Sequence, residues 1–198
     1  MAKVRSQFVC QQCGYSQSQW AGRCPSCDVW NSMVETVEKT QRFKNSKTQN
    51  NSPIINLKDI KIDENKRLKT GESELDSVLG GGLVDGMVVL VAGEPGIGKS
   101  TLLLQVALKC KNVLYICGEE SASQVALRAK RLGKISDNVS LLETNDVDEA
   151  ISKIIETRPE VVIADSIQSL VTTDLTGGAG SVGQVRECAQ RIAASIKE

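Results

Sequence analysis

Gly93-Glu94-Pro95-Gly96-Ile97-Gly98-Lys99-Ser100 fills every fixed position of G-x-x-x-x-G-K-[ST], and its flanks are those the pattern needs. Upstream, Met87-Val88-Val89-Leu90-Val91-Ala92 is an apolar run suited to a buried strand; downstream, Thr101 to Leu108 reads as a helix packed on a sheet. Glycines let the backbone fold around an anion without a Cβ in the way, so that successive N–H groups and the helix N-terminus point at phosphate oxygens. In this reading Gly93, Glu94, Pro95, Gly96, Ile97, Gly98, Lys99, Ser100 and Thr101 cradle the phosphates of a nucleotide. Lys99 reaches the β- and γ-phosphates, and the Ser100 hydroxyl joins the shell of a Mg²⁺ ion.

Outward from this loop the pattern is that of an α/β domain. Strands are expected at 88–92, 113–117, 139–142 and 161–165, with helices near 100–110, 121–132 and 146–157 between them, after a glycine turn at Gly80-Gly81-Gly82. Alternating strands and helices imply βαβ units, hence a parallel sheet with right-handed crossovers. Gly177-Gly178-Ala179-Gly180-Ser181 precedes a final helix, Val182 to Lys197, after which no strand follows. The sheet is therefore expected to be truncated and the sequence to be part of a longer protein.

Two strand ends carry acids. Val161-Val162-Ile163-Ala164-Asp165 delivers Asp165 to the edge where parallel sheets bind ligands, making it the candidate to hold Mg²⁺ through water. An Asp there also serves as a helix cap. Leu114-Tyr115-Ile116-Cys117-Gly118-Glu119-Glu120 brings two more carboxylates. With no histidine in the chain, a carboxylate is the general base that is ionised at neutral pH. Glu119 is read as the base that orients the attacking water, and Glu120 as an acid capping the next helix; capping by both remains the plain alternative.

The N-terminal region is of another kind. Of seven cysteines, Cys10-x-x-Cys13 and Cys24-x-x-Cys27 form two pairs ten residues apart, whereas Cys110, Cys117 and Cys188 are scattered in apolar or helical context. Four thiolates in two knuckles suit tetrahedral Zn²⁺ in a closed structural site. Gly14 and Gly22 fit turns beside the knuckles, and Trp20 and Trp30 are expected to cover the metal. The organisation read from these patterns is a zinc finger at 1–36, a polar, Lys-, Asn- and Ser-rich flexible linker at 37–67, and an ATPase domain at 68–198. With 24 basic and 24 acidic residues the chain has no net charge, so nucleic acid would be met locally and not through a global basic field. No apolar stretch approaches the ~20 residues of a membrane span, and the start has no leader pattern, which reads as a cytoplasmic protein without membrane contact.

The blocks Cys10-Gln11-Gln12-Cys13-Gly14-Tyr15-Ser16, Trp20-x-Gly22-x-Cys24-Pro25-x-Cys27-x-x-Trp30-Asn31-Ser32, Thr70-Gly71-x-x-Glu74-Leu75-Asp76-x-Val78-Leu79-Gly80-Gly81-Gly82-Leu83, Gly93 to Gln105, Gly118-Glu119-Glu120-Ser121 and Gly180-Ser181-Val182-x-Gln184-Val185-Arg186-Glu187 follow one another in order. Together they closely resemble the bacterial RadA (Sms) family of DNA repair proteins. The resemblance implies a RecA-like ATPase core behind a four-cysteine zinc finger, acting as a DNA-dependent ATPase in homologous recombination and repair. It further implies branch migration of recombination intermediates, a homo-hexamer on single-stranded or branched DNA, and recombinase or replication-fork proteins as partners. By the same resemblance Lys99 and Ser100 take the ATP and magnesium roles, Glu119 matches the catalytic glutamate, and Asp165 matches the acid of the second nucleotide motif. Thr173 to Gly183 occupies the place of a DNA-binding loop, its plain alternative being a solvated connection, and only Arg186 and Arg191 nearby offer phosphate contacts. The family's further core strands, its Lys-Asn-Arg-Phe-Gly motif and its Lon-protease-like domain are not in this sequence. Two alternatives stay open: a related RecA-fold helicase, and an inactive nucleotide-binding fragment or interaction module.

Overall fold

In a computed structural model, residues 6–37, 56–59, 67–133 and 135–196 are described. Most of the expected linker, 37–67, lies outside them; Leu57–Asp59 of it form a short 3-10 helix.

The first unit is a ribbon of three antiparallel strands, β1 (Ser6–Cys10), β2 (Ser16–Gln17) and β3 (Met33–Val37), in the order β2-β1-β3. Its interior is small: Cys10, Cys24 and Met33 are buried, with Phe8 and Cys27 packed against them.

The second unit is a three-layer α/β sandwich. The helices are α1 (Ser73–Val78), α2 (Lys99–Lys109), α3 (Ala122–Arg131), α4 (Val147–Thr157) and α5 (Val182–Ser195). The strands β4 (Val113–Cys117), β5 (Val139–Glu143) and β6 (Val161–Asp165) run parallel in the order β5-β4-β6. Every residue of the central strand β4 is buried, because both of its faces are covered. Side chains alternate across a strand. Val113, Tyr115 and Cys117 meet α2 and α3 through Leu104, Ala107, Leu108, Val125 and Ala129. Leu114 and Ile116 meet α4 and α5 through Val147, Ala150, Ile154, Cys188 and Ile192. Each such aliphatic side chain contributes about 1.5–3 kcal/mol on burial. The three scattered cysteines are buried core thiols; burial pushes Cys117 and Cys188 up to about 11, out of the range where a thiolate forms at neutral pH.

Three of the four expected strands are present, and the helices fall where the periodicity puts them. The exception is 88–92. Met87–Ala92 joins no ladder among the described residues, and Val88, Val89 and Leu90 are exposed. Its apolar composition suits a buried strand, but a strand exists only where a neighbour supplies ladder partners, and neither edge of this sheet pairs with it. No helix among the described residues is long and apolar enough to cross a membrane.

Candidate functional site

The glycine loop ends in Gly98, a left-handed residue (φ 107°) from which α2 starts without a side-chain cap. Gly96 is also left-handed (φ 78°), and a Cβ at either position would meet nothing within 4 Å. Backbone conformation, not crowding, demands glycine there. Lys99 folds back over the loop, its Nζ donating to the carbonyls of Gly93 and Glu94 at 2.8 Å each. Ser100, in the first turn of α2, donates its hydroxyl to Asp165 Oδ1 at 3.1 Å.

Asp165 closes β6, and its register partner on β4 is Cys117, so Gly118 and Glu119 leave the sheet beside it. The ladder continues one step further through Gly118 N–H to Asp165 O at 3.0 Å. The following chain presses close: a Cβ on Gly118 would lie 1.7 Å from Ser169 Oγ, which excludes any larger residue without rearrangement. Ser166 Oγ donates to Glu119 Oε1. Lys99, Ser100, Glu119 and Asp165, spread over 67 residues of sequence, thus meet at the C-terminal ends of adjacent parallel strands, where open α/β sheets bind ligands. An octahedral Mg²⁺ with ligands at 2.0–2.1 Å has neighbouring oxygens about 3 Å apart. The Ser100–Asp165 spacing fits two such positions.

Glu120 does not take the capping role expected of it. Ser121 caps α3 in a capping box with Gln124, and Glu143 accepts from the Ala122 N–H, so the helix N-terminus is already satisfied. Glu120 instead pairs with Arg128 on α3. Tyr115 is the residue that sequence reasoning missed. It is fully buried, and its hydroxyl donates to Asp165 Oδ2 at 2.6 Å, so both carboxylate oxygens are held, one by Ser100 and one by Tyr115. Burial, followed by the adjacent Asp165 carboxylate, pushes the phenol above its ordinary value and keeps it a donor. The available signal was a lone phenol in an otherwise apolar central strand, since a buried Tyr hydroxyl needs a partner.

In the ribbon the four cysteine sulfurs lie within 4.8 Å of one another, with Cys10 to Cys27 and Cys13 to Cys24 at 3.6 Å. A tetrahedron of Zn–S bonds near 2.3 Å has edges of about 3.8 Å, so the sulfurs fit zinc. The two knuckles repeat one geometry: Gly14 N–H returns to Cys10 O and Asp28 N–H to Cys24 O, with Gly14 and Asp28 both left-handed. The Ser32 side chain, 3.2 Å from Cys10 Sγ, lowers that thiol below its ordinary value. Trp20 and Trp30, expected to cover the metal site, are instead 62% and 69% exposed and converge on Gly22, while Phe8 and Cys27 pack against Cys10, Cys24 and Met33. Zinc chelation is expected to unfold this module, because structural zinc supplies about 10–16 kcal/mol that so small an interior cannot replace. Elemental analysis should find one zinc per chain, and loss of amide protection in 8–35 on chelation would check the folding role; persistent protection would refute it.

Arg191, expected beside the loop as a phosphate contact, is committed to Asp148, Asp174 and Glu187. Arg186 donates to Gln11 of the ribbon at 3.1 Å.

Two protein-family models match the chain: one described as a rubredoxin metal binding domain, a zinc ribbon, over residues 8–35, and one described as KaiC, an ATPase, over 68–140. The DNA repair protein RadA of Aquifex aeolicus is 44% identical over 201 positions, covering 100% of this chain and 45% of the relative. RadA of Bacillus subtilis is 45% identical, covering 97% of this chain and 44% of the relative, and RadA of Listeria monocytogenes is 45% identical over 94% and 42%. The chain spans under half the length of these curated relatives. A KaiC-like protein of Pyrococcus horikoshii matches in structure at 19% identity and a TM-score of 0.46, covering 66% of this chain and 63% of that one.

Proposed function

The chain belongs to the RadA family and covers the N-terminal part of its members, and from this we propose that it is the zinc-ribbon and ATP-binding portion of a DNA-dependent ATPase of recombination and repair. The observation that carries the reading is the meeting of the P-loop Ser100 with Asp165 at 3.1 Å, from positions 65 residues apart. A strand-end acid used only as a cap has no reason to face the phosphate loop.

The backbone from Gly93 to Thr101 wraps the phosphates, and Lys99 swings from its two carbonyls onto the β- and γ-oxygens. Ser100 and Asp165 would hold Mg²⁺, which would supply positive charge against that of the phosphates. Glu119, relayed to Ser166 and one strand from Asp165, orients the attacking water and takes its proton. The zinc finger at 1–36 is joined by 37–67 to the ATPase domain at 68–198. In this proposal single-stranded or branched DNA is the polymer acted on, a homo-hexamer the working form and branch migration the outcome; the relatives' names support only the coarser reading of DNA repair.

A nucleotide-binding module without turnover is the second reading, favoured by the exposed, unpaired Met87–Ala92 beside the loop. ATP hydrolysis with and without single-stranded DNA, on this chain and on one extended at its C-terminus by the matching segment of a relative, separates the two. DNA-stimulated turnover is expected from the extended chain; its absence from both, with ATP bound, establishes the second reading. Tyr115→Phe removes one oxygen from Asp165's support, and we expect the Mg²⁺ concentration for half-maximal ATP binding to rise about tenfold, the order of one lost hydrogen bond to a charged group. Magnesium titration of ATP binding checks this, with metal-free binding unchanged.

A further inference from the structure

The loop Thr172–Gly177 lies largely within the segment that the resemblance gives as a DNA-binding loop and whose plain reading is a solvated connection; in the structure it is built from within. Gln184, only 2% exposed, accepts from Thr172 N–H at 2.8 Å and donates to the carbonyls of Thr172 and Gly177 at 3.0 and 2.9 Å, tying both ends of the loop together. Arg191 pins Asp174 between them. So held, the loop turns three donors outward: Thr176 N–H, Thr176 Oγ1–H and Gly177 N–H.

Their common acceptor comes from the other unit. The Glu35 carboxylate of β3 accepts from Thr176 N–H at 3.0 and 3.1 Å, from Thr176 Oγ1 at 2.9 Å and from Gly177 N–H at 2.9 Å. Glycines make room for it: a Cβ on Gly183 would lie 2.7 Å from Glu35 O, and one on Gly177 would lie 3.4 Å from Glu35 Oε2 and 2.7 Å from Ser181 Oγ. On the same side the ribbon's Gln11 takes the Arg186 guanidinium, whose partner is thus neutral and exposed. One docked element covers both a convergent set of N–H and O–H donors and an adjacent cation. Backbone donors that seat a carboxylate also fit phosphate oxygens, which present the same acceptor geometry with more charge.

We propose that the zinc ribbon masks this loop against a nucleic-acid backbone: Glu35 and Gln11 occupy the Thr176 and Gly177 donors and the Arg186 guanidinium that a phosphodiester would otherwise take. Docked ribbon and bound phosphodiester then exclude one another, so the strand must displace the ribbon to gain the site. The nucleic-acid source of the phosphate rests on the DNA-binding reading above.

The test is binding of a labelled oligothymidylate to the zinc-loaded chain, with amide exchange at Thr176 and Gly177 read on the same samples. Glu35→Gln places an amide –NH₂ against the donors, and Gly183→Ala pushes the ribbon off while Glu35 stays intact. Both are expected to speed exchange at the two amides and to tighten oligonucleotide binding at least fivefold, the lower end of coupling between linked sites. Arg186→Gln added to Glu35→Gln should cancel the gain. Faster exchange without tighter binding overturns the proposal, as does unchanged exchange, because Glu35 then holds nothing. A gain abolished equally by inorganic phosphate at low millimolar concentration, with none for the oligonucleotide in its absence, assigns a free-anion site and also overturns it. ATP binding, followed in parallel, reports on the nucleotide reading independently: intact ATP binding beside a failed masking result refutes masking alone.

Discussion

Lys99→Ala is expected to lower ATP hydrolysis by on the order of 10²-fold or more while leaving the fold intact. The ammonium is the one cation on the glycine loop, and charge that develops on the transferred phosphoryl group is stabilised chiefly by preorganised positive groups. Its bonds in the structure are to Gly93 O and Glu94 O on a solvent-facing loop, so alanine there leaves no buried group stranded. The α2 helix it begins is anchored by Leu104, Ala107 and Leu108, far from the substitution. Turnover at saturating ATP, set beside a thermal melt, checks both halves. A folded variant with unchanged turnover would remove the P-loop assignment and with it the nucleotide reading.

Glu119→Gln should give the second large effect: ATP still binds and hydrolysis falls steeply, again by on the order of 10²-fold, since the amide keeps the size but cannot accept the proton. Its hydroxyl partner Ser166 can donate to the amide oxygen as it does to the carboxylate, so the local geometry survives. Glu120→Gln is the comparison. Glu120 pairs with Arg128 and leaves one oxygen, and Arg128 one nitrogen, without a partner among the described residues. Because the pair is partly exposed, neutralising it costs about 1 kcal/mol or less of stability and leaves turnover within a fewfold of normal. Single-turnover hydrolysis with binding measured separately distinguishes them. If Glu120→Gln were the variant that bound without turning over, the two roles would be exchanged.

The parts of the site legible in the sequence are those whose chemistry is satisfied locally. A glycine loop of this spacing offers its function through consecutive backbone amides, so the pattern can be read locally; the cysteine knuckles likewise close within four residues on Cys10 and on Cys24. Asp165 and Glu119 were legible because acids at the ends of apolar runs in a βαβ pattern arrive at one sheet edge. Glu120 was misjudged because Ser121 and Gln124, immediately after it, make a complete cap of their own. Trp20 and Trp30 were misjudged because aromatic residues near a metal site were expected to cover it, whereas they lean on Gly22.

What the sequence by itself determined is therefore the kind of molecule: an α/β core of the ATPase kind, a four-thiolate ribbon and the place of the glycine loop at the start of α2. Only the tertiary structure decided who stands beside whom. Tyr115 reaches Asp165 across 50 residues, Glu35 reaches Thr176 across 141, and Arg191 spends its charge on Asp148, 43 residues away. It also decided that Met87–Ala92, apolar enough for any strand, stays outside the sheet. The physical reason is common to all of these: periodicity and spacing encode which face a residue presents, whereas hydrogen bonds, ion pairs and ladders need a partner that the packed chain must deliver.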